Sequence, residues 1–556
     1  MAGTVTRGSR LFLLVFMGFA AFAFHSFVIR GDELAEKRYV DQAEVEFMAG
    51  LLEKGWIVAG KDGPALSRKA QNSLSASDNR KARQLLPGIE GPADRLRFNA
   101  RYVSVVHPRI SQGLDDALRG RIFDRQGRLL AGVDEHGVRR YPLGPAAFHV
   151  VGYGGGLYPK TGVESVFDGV LGAESAPWWR KLWRGNRPLG SDIRLTIDAE
   201  IQKAAHAAMT NRPGAVVVLA PATGEVLAMV STPSFDPNLP PGKAWDQVAQ
   251  DPKSPMLNRA IAERYPPGSI FKLLVAAAGI SSGPAPVMNV TRQDRALGIS
   301  DRHAFDRLDF VMALAESSNV YFARWGVALG PALAAMCGEF GFMHPIVLAN
   351  GPGGATLEAI ASYGFFLGNP VQGQAVPFSD RDFQRNPRLV AQGAIGQNIV
   401  LATPLQMAMA TAALANRGTM QSPWIVADAP GMSKSSPASS SPVPAAVVRQ
   451  IVHAMCAVTD KGTGKGLKKI FKTAGGYSLV ATPGAGRVRI AAKTGTAEVQ
   501  GKGSHAWFVC FAPDEPMSPV VCVLVEHAGY GASNAGPVGI EVLGTALNVM
   551  AKEGKG

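Results

Sequence analysis

Apolar and polar positions divide the chain into an apolar N-terminal run, a polar stretch and a long region of alternating strands and helices. Residues 11–29 read LFLLVFMGFAAFAFHSFVI, in which sixteen of nineteen residues are apolar and none is permanently charged. A helix of this length nearly spans a hydrocarbon core of roughly 30 Å. Arg7 and Arg10 precede it, and positive flanks stay in the cytoplasm. The pattern predicts a cytoplasmic tail over residues 1–10, a transmembrane anchor over 11–29 and an extracytoplasmic remainder.

Two alternatives to an anchor remain open for this run. Ala21-Phe22-Ala23 has the small-residue spacing of a signal-peptidase site, which would make the run a cleaved signal peptide. A buried core helix is the other alternative, although a helix that is apolar on every face is unusual in a small soluble domain.

Residues 30–115 are polar and rich in Arg and Lys, with a predicted helix over 32–54 and no candidate chemistry. From Arg119 the sequence RGRIFDRQGRLLAGV predicts two short strands around a turn at 125–127. The glycines of 152–156 lack nucleotide-binding spacing and predict a loop. The Trp-rich basic cluster at 178–184 predicts packing against a neighbouring domain, with a membrane or partner contact as the alternative.

From residue 195 onward the pattern becomes regular. LTIDAEIQKAAHAAM predicts a helix with Asp198 at its N-terminus, and AVVVLA and EVLAMVS predict a strand hairpin. Further strands are predicted at 488–497, 507–512 and 520–525, a Ser/Pro-rich linker at 433–444 and an apolar helix at 538–552. Strands framed by helices predict an α/β (α+β) domain over 195–556, with one antiparallel sheet covered by helices.

Composition narrows the function classes only moderately. The 556 residues exceed what one core needs, and 46% apolar with 18% charged residues is typical of folded protein. The net charge of 57 − 44 = +13 suits an anionic partner without selecting one. Four cysteines are too few for a disulfide scaffold, and no Cys-x-x-Cys or His-Glu-x-x-His motif supports zinc, so no metal or cofactor is expected.

The positions of two cysteines predict the register between their strands. Cys510 and Cys522 are symmetric about Pro516, so a regular hairpin would place them opposite each other at roughly 4.5–5.5 Å, which permits a disulfide. Buried free thiols are the favoured expectation and a disulfide is the alternative.

The strongest chemical signal is the segment YPPGSIFK, residues 265–272. Pro and Gly interrupt the chain and an apolar helix follows, which predicts that Ser269 lies in the first turn of a buried helix. Lys272 is three residues further on and within hydrogen-bonding reach on the same face. A lysine amine with a lowered pKa is a suitable base for a serine nucleophile, and the helix N-terminus offers N–H groups to an oxyanion.

Two later motifs add to this pair. Ser317-Ser318-Asn319 forms a polar step in an otherwise apolar helical run, FVMALAESSNVYFARWG, where a serine and an amide could satisfy a lysine. Lys493-Thr494-Gly495-Thr496 follows the predicted strand RVRIAA. Gly495 allows a substrate backbone to approach the strand, and Lys493 and the two hydroxyls suit a carboxylate.

In the order Ser-x-x-Lys, Ser-x-Asn, Lys-Thr-Gly, these motifs are a signature of penicillin-recognising serine acyltransferases. The chain resembles a class B penicillin-binding protein, a monofunctional peptidoglycan D,D-transpeptidase. RGRIFDRQG, TGVESVFDGVLG, AIGQNIVLATPLQMA and HAWFVCFAP resemble further family segments in the family's order. The resemblance covers about residues 115–545 and the anchor, and it implies the transpeptidase fold preceded by a mixed, dimerisation-like pedestal domain over 116–194. Cys510 departs from the family, which usually has a small residue there.

The resemblance also implies roles. Ser269 would attack the penultimate D-Ala of a stem peptide, with Lys272 as general base and Ser317 relaying a proton to the leaving amine. Asn319 would hold Lys272 and the substrate amide. The terminal carboxylate would bind Lys493, Thr494 and Thr496, and the oxyanion would bind the backbone N–H groups of Ser269 and Thr496.

Implied partners are stem peptides ending in D-Ala-D-Ala, β-lactams and a membrane glycan polymerase, with no nucleic acid. A serine β-lactamase or a D,D-carboxypeptidase is the nearest alternative, but no Glu-x-x-Leu-Asn segment lies between residues 319 and 493 to supply a deacylating base. A non-catalytic β-lactam sensor would be expected to lack Ser317 or Lys493, and both are present. Residues 30–195 lack a glycosyltransferase motif of the Glu-Asp-x-x-Phe type, which disfavours a bifunctional enzyme.

Membrane topology is directly testable. A reporter that is active only outside the cytoplasm, fused after Gly556, should be active, because Arg7 and Arg10 hold the N-terminus inside. N-terminal sequencing of the mature protein should find the apolar run intact. A mature chain beginning at Phe24 would instead establish the cleaved signal peptide.

Overall fold

The computed structural model describes a large part of the chain. The described residues are 57–60, 63–66, 68–78, 80, 89–90, 97–98, 119–134, 138–154, 159–172, 190–239, 243–368, 374–430, 438–467 and 489–553. The predicted anchor at 11–29, the predicted helix at 32–54 and the cluster at 178–184 lie outside them. The chain divides into two compact units, residues 1–112 and 113–556.

The first unit contains two strand pairs and a short helix in its described part. Ile57–Gly60 pairs with Gly63–Leu66, and Ile89–Glu90 pairs with Arg97–Phe98, both antiparallel. The helix is Arg68–Ser73.

The second unit is built on a five-stranded antiparallel sheet. Its strands are β1 (Gly214–Leu219), β2 (Val226–Thr232), β3 (Ala491–Val499), β4 (Lys502–Phe511) and β5 (Val520–Val525). The spatial order is β2-β1-β5-β4-β3, so β3 is an edge strand. All residues of β1, β2 and β5 are buried, because helices cover both faces. The predicted antiparallel sheet covered by helices is confirmed.

The two faces of this sheet pack into different apolar clusters. Trp507 and Val509 of β4 point to the face covered by helices Lys272–Ser282 and Pro404–Ala415. Phe508 points to the opposite face, which is covered by helices Ala199–Ala208 and Gly531–Glu553. Strand alternation therefore divides the domain into two layers of core. As predicted, Asp198 caps helix Ala199–Ala208 by accepting hydrogen bonds from two backbone N–H groups.

Further helices and short strands complete the described part of the second unit. The helices are Phe148–Val151, Gly162–Val166, Asp168–Leu171, Lys243–Gln250, Phe310–Glu316, Asn319–Leu329, Ala332–Glu339, Asp380–Arg385, Pro387–Ala394 and Ala445–Asp460. Two-stranded pairs are Met288–Val290 with Phe305–Leu308, Gln293–Asp294 with Ile299–Ser300, Ile346–Asn350 with Thr356–Ala359, Tyr363–Gly364 with Val400–Leu401, Phe366–Leu367 with Val376–Pro377, and Met420–Gln421 with Ser439–Ser440. Short 3-10 turns are Gly144–Ala146, Gly268–Phe271 and Pro352–Gly354.

No single helix within the described residues has the length and apolar composition to cross a membrane. Asn319–Leu329 and Ala332–Glu339 would reach that length and composition only as a pair, and the pair is bent by 96°.

A second five-stranded sheet combines strands from before and after residue 195, where the α/β domain is predicted to begin. Its spatial order is Val426–Asp428, Ile193–Leu195, Ile122–Phe123, Leu129–Val133 and Arg139–Arg140. The strands Ile122–Phe123 and Leu129–Val133 flank the turn at 125–127, as their sequence predicts.

A buried ion network holds this region together. Glu164 is fully buried and accepts hydrogen bonds from Arg119 Nε at 2.6 Å and Arg139 Nε at 2.8 Å. The Arg119 guanidinium also donates to Asp168 at 2.6 Å. Burial alone would raise the pKa of Glu164, but Arg139 and Arg119 outweigh it, so the pKa lies below its usual range.

The expected pairing of Cys510 with Cys522 is wrong by one residue. Cys510 pairs with Val521 and Cys522 with Val509, so the two thiols point to opposite faces of the sheet. Cys510 lies in the cluster that contains Phe508, and Cys522 in the one that contains Trp507. Both cysteines are free and buried, which confirms the favoured expectation and excludes the disulfide.

The ion network yields a stability prediction. Glu164→Gln leaves Arg139 buried without its carboxylate and Arg119 with Asp168 alone, and we expect the free energy of unfolding to fall by about 3–5 kcal/mol. Urea denaturation measures this loss. The matched control is Asp192→Asn, which breaks the exposed Arg121–Asp192 pair and should cost about 0–1 kcal/mol. Equal losses in the two variants would contradict the assigned role of the network.

Candidate active site

Ser269 lies in a tight turn rather than in the helix itself. The 3-10 turn Gly268–Phe271 carries it, and the α-helix begins at Lys272, one turn later than its sequence predicts. Gly268 has φ +54°, and its N–H donates to the Gly396 carbonyl at 2.8 Å. This hydrogen bond therefore fixes the turn to the segment that contains Gly396.

Two glycines let other segments pack directly against this turn. A Cβ on Gly396 would lie 2.1 Å from the Gly268 carbonyl oxygen. A Cβ on Gly495 would lie 2.8 Å from Trp507 Cβ and 3.1 Å from the Pro267 carbonyl oxygen. Gly495 thus serves the packing of β3 against the turn of Ser269, a use that the sequence analysis did not anticipate.

The Ser317-Ser318-Asn319 segment breaks the helical run instead of continuing it. Helix Phe310–Glu316 ends at Ser317, which has φ 59° and ψ 40°, and a new helix begins at Asn319. A left-handed conformation is uncommon for a residue with a side chain and costs on the order of 1–3 kcal/mol, so such residues concentrate at functional sites. Here the break turns both the carbonyl and the hydroxyl of Ser317 toward Lys272.

Two buried lysines meet at the Ser317 hydroxyl. Lys272 Nζ donates to the Ser317 carbonyl at 2.7 Å, to Asn319 Oδ1 at 2.7 Å and to Ser317 Oγ at 3.3 Å. Lys493 Nζ donates to Ser317 Oγ at 2.8 Å and to the Thr494 carbonyl at 2.9 Å. Both lysines are fully buried, and neither donates a hydrogen bond to a carboxylate among the described residues.

Burial controls the protonation of this pair. Loss of hydration lowers the pKa of Lys272 to about 7, although Asp301 opposes the shift. Burial, and then the nearby charge of Lys272, holds the pKa of Lys493 well below its usual value. A free amine on Lys272 is therefore populated near neutral pH, as a general base requires.

Ser269 and Lys272 do not form the expected hydrogen bond. Within the described residues the Ser269 hydroxyl has no hydrogen-bond partner, and the bonds of Lys272 lead to Ser317 and Asn319. Hydrogen bonds of this kind commonly tighten only when substrate is bound.

The predicted site residues are divided between the surface of one cleft and the layer behind it. The cleft has a volume of about 1290 Å³, and five of the eight residues line it, namely Ser269, Ser317, Asn319, Thr494 and Thr496. Lys272, Gly495 and Lys493 are not in the lining. Across the cleft, the Arg302 guanidinium stacks over the Tyr530 ring at 4.9 Å from its centroid.

The threonines next to Lys493 are fixed by neighbouring segments. Thr494 Oγ1 lies 2.8 Å from Thr463 Oγ1, and the Thr463 N–H donates to the Ala315 carbonyl at 3.0 Å. Thr496 Oγ1 accepts from the Gly531 N–H at 3.4 Å. Strand β3 is thereby linked to the helix that ends at Ser317.

The sequence analysis missed three contributors to the site: Asp301, Gly396 and Thr463. Gly396 lies in the family-like segment AIGQNIVLATPLQMA, which carried no assigned role. Asp301 and Thr463 are in no motif, and only tertiary structure brings them to the site.

Comparisons with known proteins agree with this geometry. The family described as "Penicillin binding protein transpeptidase domain" matches residues 214–544. Peptidoglycan D,D-transpeptidase PbpA of Mycolicibacterium smegmatis is 32% identical over 497 residues, which cover 82% of this chain and 93% of that relative.

Solved structures give the same result. The crystal structure of PBPA from Mycobacterium tuberculosis matches with a TM-score of 0.61 at 28% identity, over 78% of this chain and 99% of that one. An imipenem acyl-enzyme complex of the same M. tuberculosis protein matches with a TM-score of 0.62 at 29% identity, with the same coverage. The fold and the site define a penicillin-recognising serine transpeptidase domain. The chain belongs to this family and is a class B penicillin-binding protein.

Proposed function

We propose that this chain cross-links peptidoglycan stem peptides as a D,D-transpeptidase, through an acyl-enzyme on Ser269. One observation carries the proposal: Lys272 and Lys493 share the Ser317 hydroxyl, and that hydroxyl lines the same cleft as Ser269. A base and a proton relay thus lie together beside a candidate nucleophile.

In the first half-reaction, Ser269 Oγ attacks the carbonyl carbon of the penultimate D-Ala, and its proton passes to the amine of Lys272. The oxyanion binds the backbone N–H groups of Ser269 and Thr496. The tetrahedral intermediate collapses, the C–N bond breaks, and Ser317 passes a proton to the departing D-Ala amine. Ser317 takes a proton back from Lys272, which returns to its free amine. An ester on Ser269 and free D-Ala result.

Substrate is held by both walls of the cleft. Thr494 and Thr496 line it and offer hydroxyls to the terminal carboxylate. Lys493 lies behind them and orients Ser317 through its hydrogen bond to the Ser317 hydroxyl. Gly495 lets β3 pack against the turn that carries Ser269, and Asn319 binds both Lys272 and the substrate amide.

In the second half-reaction, an amine of a neighbouring stem peptide attacks the ester carbonyl. The amine loses a proton to Lys272, the ester C–O bond breaks, and Lys272 returns that proton to the departing Ser269 Oγ. The new amide is the cross-link. The same Ser269 would be acylated by β-lactams, as in the acyl-enzyme complexes of M. tuberculosis PBPA.

We further propose that the protein is a single-pass protein of the cytoplasmic membrane with its catalytic domain outside, on the periplasmic side. Residues 11–29 and the preceding Arg7 and Arg10 support this arrangement. A membrane glycan polymerase is the proposed partner, because a monofunctional transpeptidase needs nascent glycan strands.

Labelled penicillin tests the nucleophile. Ser269→Ala should abolish covalent labelling while thermal unfolding remains cooperative, and Lys272→Ala should slow acylation by roughly 10²–10⁴-fold. The matched control is Ser282→Ala, at the far end of helix Lys272–Ser282, which should label normally. Normal labelling of Ser269→Ala would refute the assignment.

The fate of the acyl group separates a transpeptidase from a β-lactamase. Fast hydrolysis needs a positioned base and water, and the Glu-x-x-Leu-Asn segment that would supply them is absent. We expect the penicilloyl-enzyme to persist for many minutes in a chase with unlabelled drug, and amine acceptors to shorten the lifetime of acyl groups from stem-peptide thioesters. Loss of label within seconds, with turnover of the drug, would favour the β-lactamase.

A further inference from the structure

Asp301 lies directly behind the Ser317-Ser318-Asn319 turn. Its carboxylate accepts hydrogen bonds from Ser318 Oγ at 2.5 Å, from the Asn319 N–H at 2.5 Å and from the Val320 N–H at 3.3 Å. A carboxylate at this position satisfies N–H groups that the first turn of helix Asn319–Leu329 leaves without intrahelical partners.

The segment that carries Asp301 also orients the Asn319 amide. The Ser300 carbonyl accepts from Asn319 Nδ2 at 3.2 Å, which leaves Asn319 Oδ1 to accept from Lys272 at 2.7 Å. With the nitrogen held by Ser300, the amide oxygen faces the lysine.

This segment is itself fixed. The Asp301 N–H donates to the Arg292 carbonyl at 2.9 Å, and the short pair Gln293–Asp294 with Ile299–Ser300 precedes Asp301. Arg324 Nε, from helix Asn319–Leu329, forms an ion pair with Asp294 at 2.7 Å. The hairpin and helix Asn319–Leu329 are therefore joined at two points, at Asn319 through Ser300 and at Arg324 through Asp294.

Asp301 affects the lysine pair through its charge as well as through its hydrogen bonds. Lys272 shares the Ser317 hydroxyl with Lys493 of β3, whose pKa the charge of Lys272 lowers, and Asp301 in the hairpin favours a proton on Lys272. The other charged residues in the adjoining cleft lining are Arg302, Glu316 and Glu498, and its titratable histidines are His303 and His505. Of these groups, Asp301 is the one that opposes the effect of burial on Lys272.

We propose that Asp301 is a positioning residue for acyl transfer, whose carboxylate fixes the Ser318–Asn319 turn so that Ser317 and Asn319 hold Lys272. The proposal rests on the proposed function of Lys272 as proton acceptor. A purely structural helix cap would share the hydrogen bonds but not the influence on Lys272.

The sign of the electrostatic effect can be derived. Acylation needs Lys272 unprotonated, so its rate rises with pH through the pKa of that amine. Asp301 favours the protonated form, so its removal lowers the pKa and moves the rise to lower pH. Loss of the hydrogen bonds that the Asp301 carboxylate accepts separately lowers the acylation rate at high pH, where the rate reaches its plateau.

The test is the second-order rate constant of penicillin acylation against pH, measured on the full chain in detergent. Asp301→Asn should shift the midpoint of the rise to lower pH and reduce the plateau by roughly ten- to hundredfold, as misplaced catalytic groups do. Ser318→Ala removes the hydrogen bond to Asp301 and the N-cap bond from the Tyr321 N–H but keeps the charge of Asp301, so its plateau should fall without a shift. Asp309→Asn, the N-cap of helix Phe310–Glu316, is the matched control and should resemble the wild type in both values.

Each outcome has a definite meaning. An unshifted midpoint in Asp301→Asn would overturn the proposal, as would an equal shift in Asp309→Asn. If Asp301→Asn does not fold, the deciding measurement is the acylation rate constant of Ser318→Ala at high pH. A value equal to that of the wild type overturns the proposal. Ser269→Ala is run in parallel, because labelling of that variant would refute the proposed function and not the role of Asp301.

Discussion

The site depends on two lysines buried around one hydroxyl. Removing an ammonium group from water is costly, and a second positive charge nearby makes it costlier. Lys272 and Lys493 are both fully buried at Ser317, so they favour a state that carries less than two full charges. The same penalty that destabilises the charged pair makes one amine available as a base near neutral pH.

This arrangement constrains the backbone around it. Ser317 can meet both lysines only because a helix ends there and the residue adopts a left-handed conformation. Gly396 and Gly495 allow two other segments to press against the turn of Ser269, where a side chain would collide. Lys493 lies on β3, an edge strand whose outer side is free to face that turn. Backbone packing thus brings together three motifs that are far apart in sequence. The buried apolar helix Lys272–Ser282 supports them from the core.

Local patterns predicted much of this structure correctly, because local physics determines them. The Asp198 cap, the hairpin of β1 and β2 and the strands on either side of the 125–127 turn follow from capping, alternation and turn chemistry. Cys510 and Cys522 were misplaced because the loop between β4 and β5 sets the register, and a shift of one residue reverses the face. The break at Ser317 was missed because apolar periodicity continues across it. Asp301 could not be found from sequence, since the partners of its carboxylate lie seventeen residues or more away and no motif marks it.

The state of Lys272 tests the account most directly. Lysines labelled with ¹³C at Cε allow its amine to be titrated by NMR in the full chain, with Lys272→Arg identifying the resonance. The account predicts a midpoint near pH 7, because burial of the amine outweighs the attraction of Asp301. A midpoint near pH 10, as for a lysine in water, would contradict it.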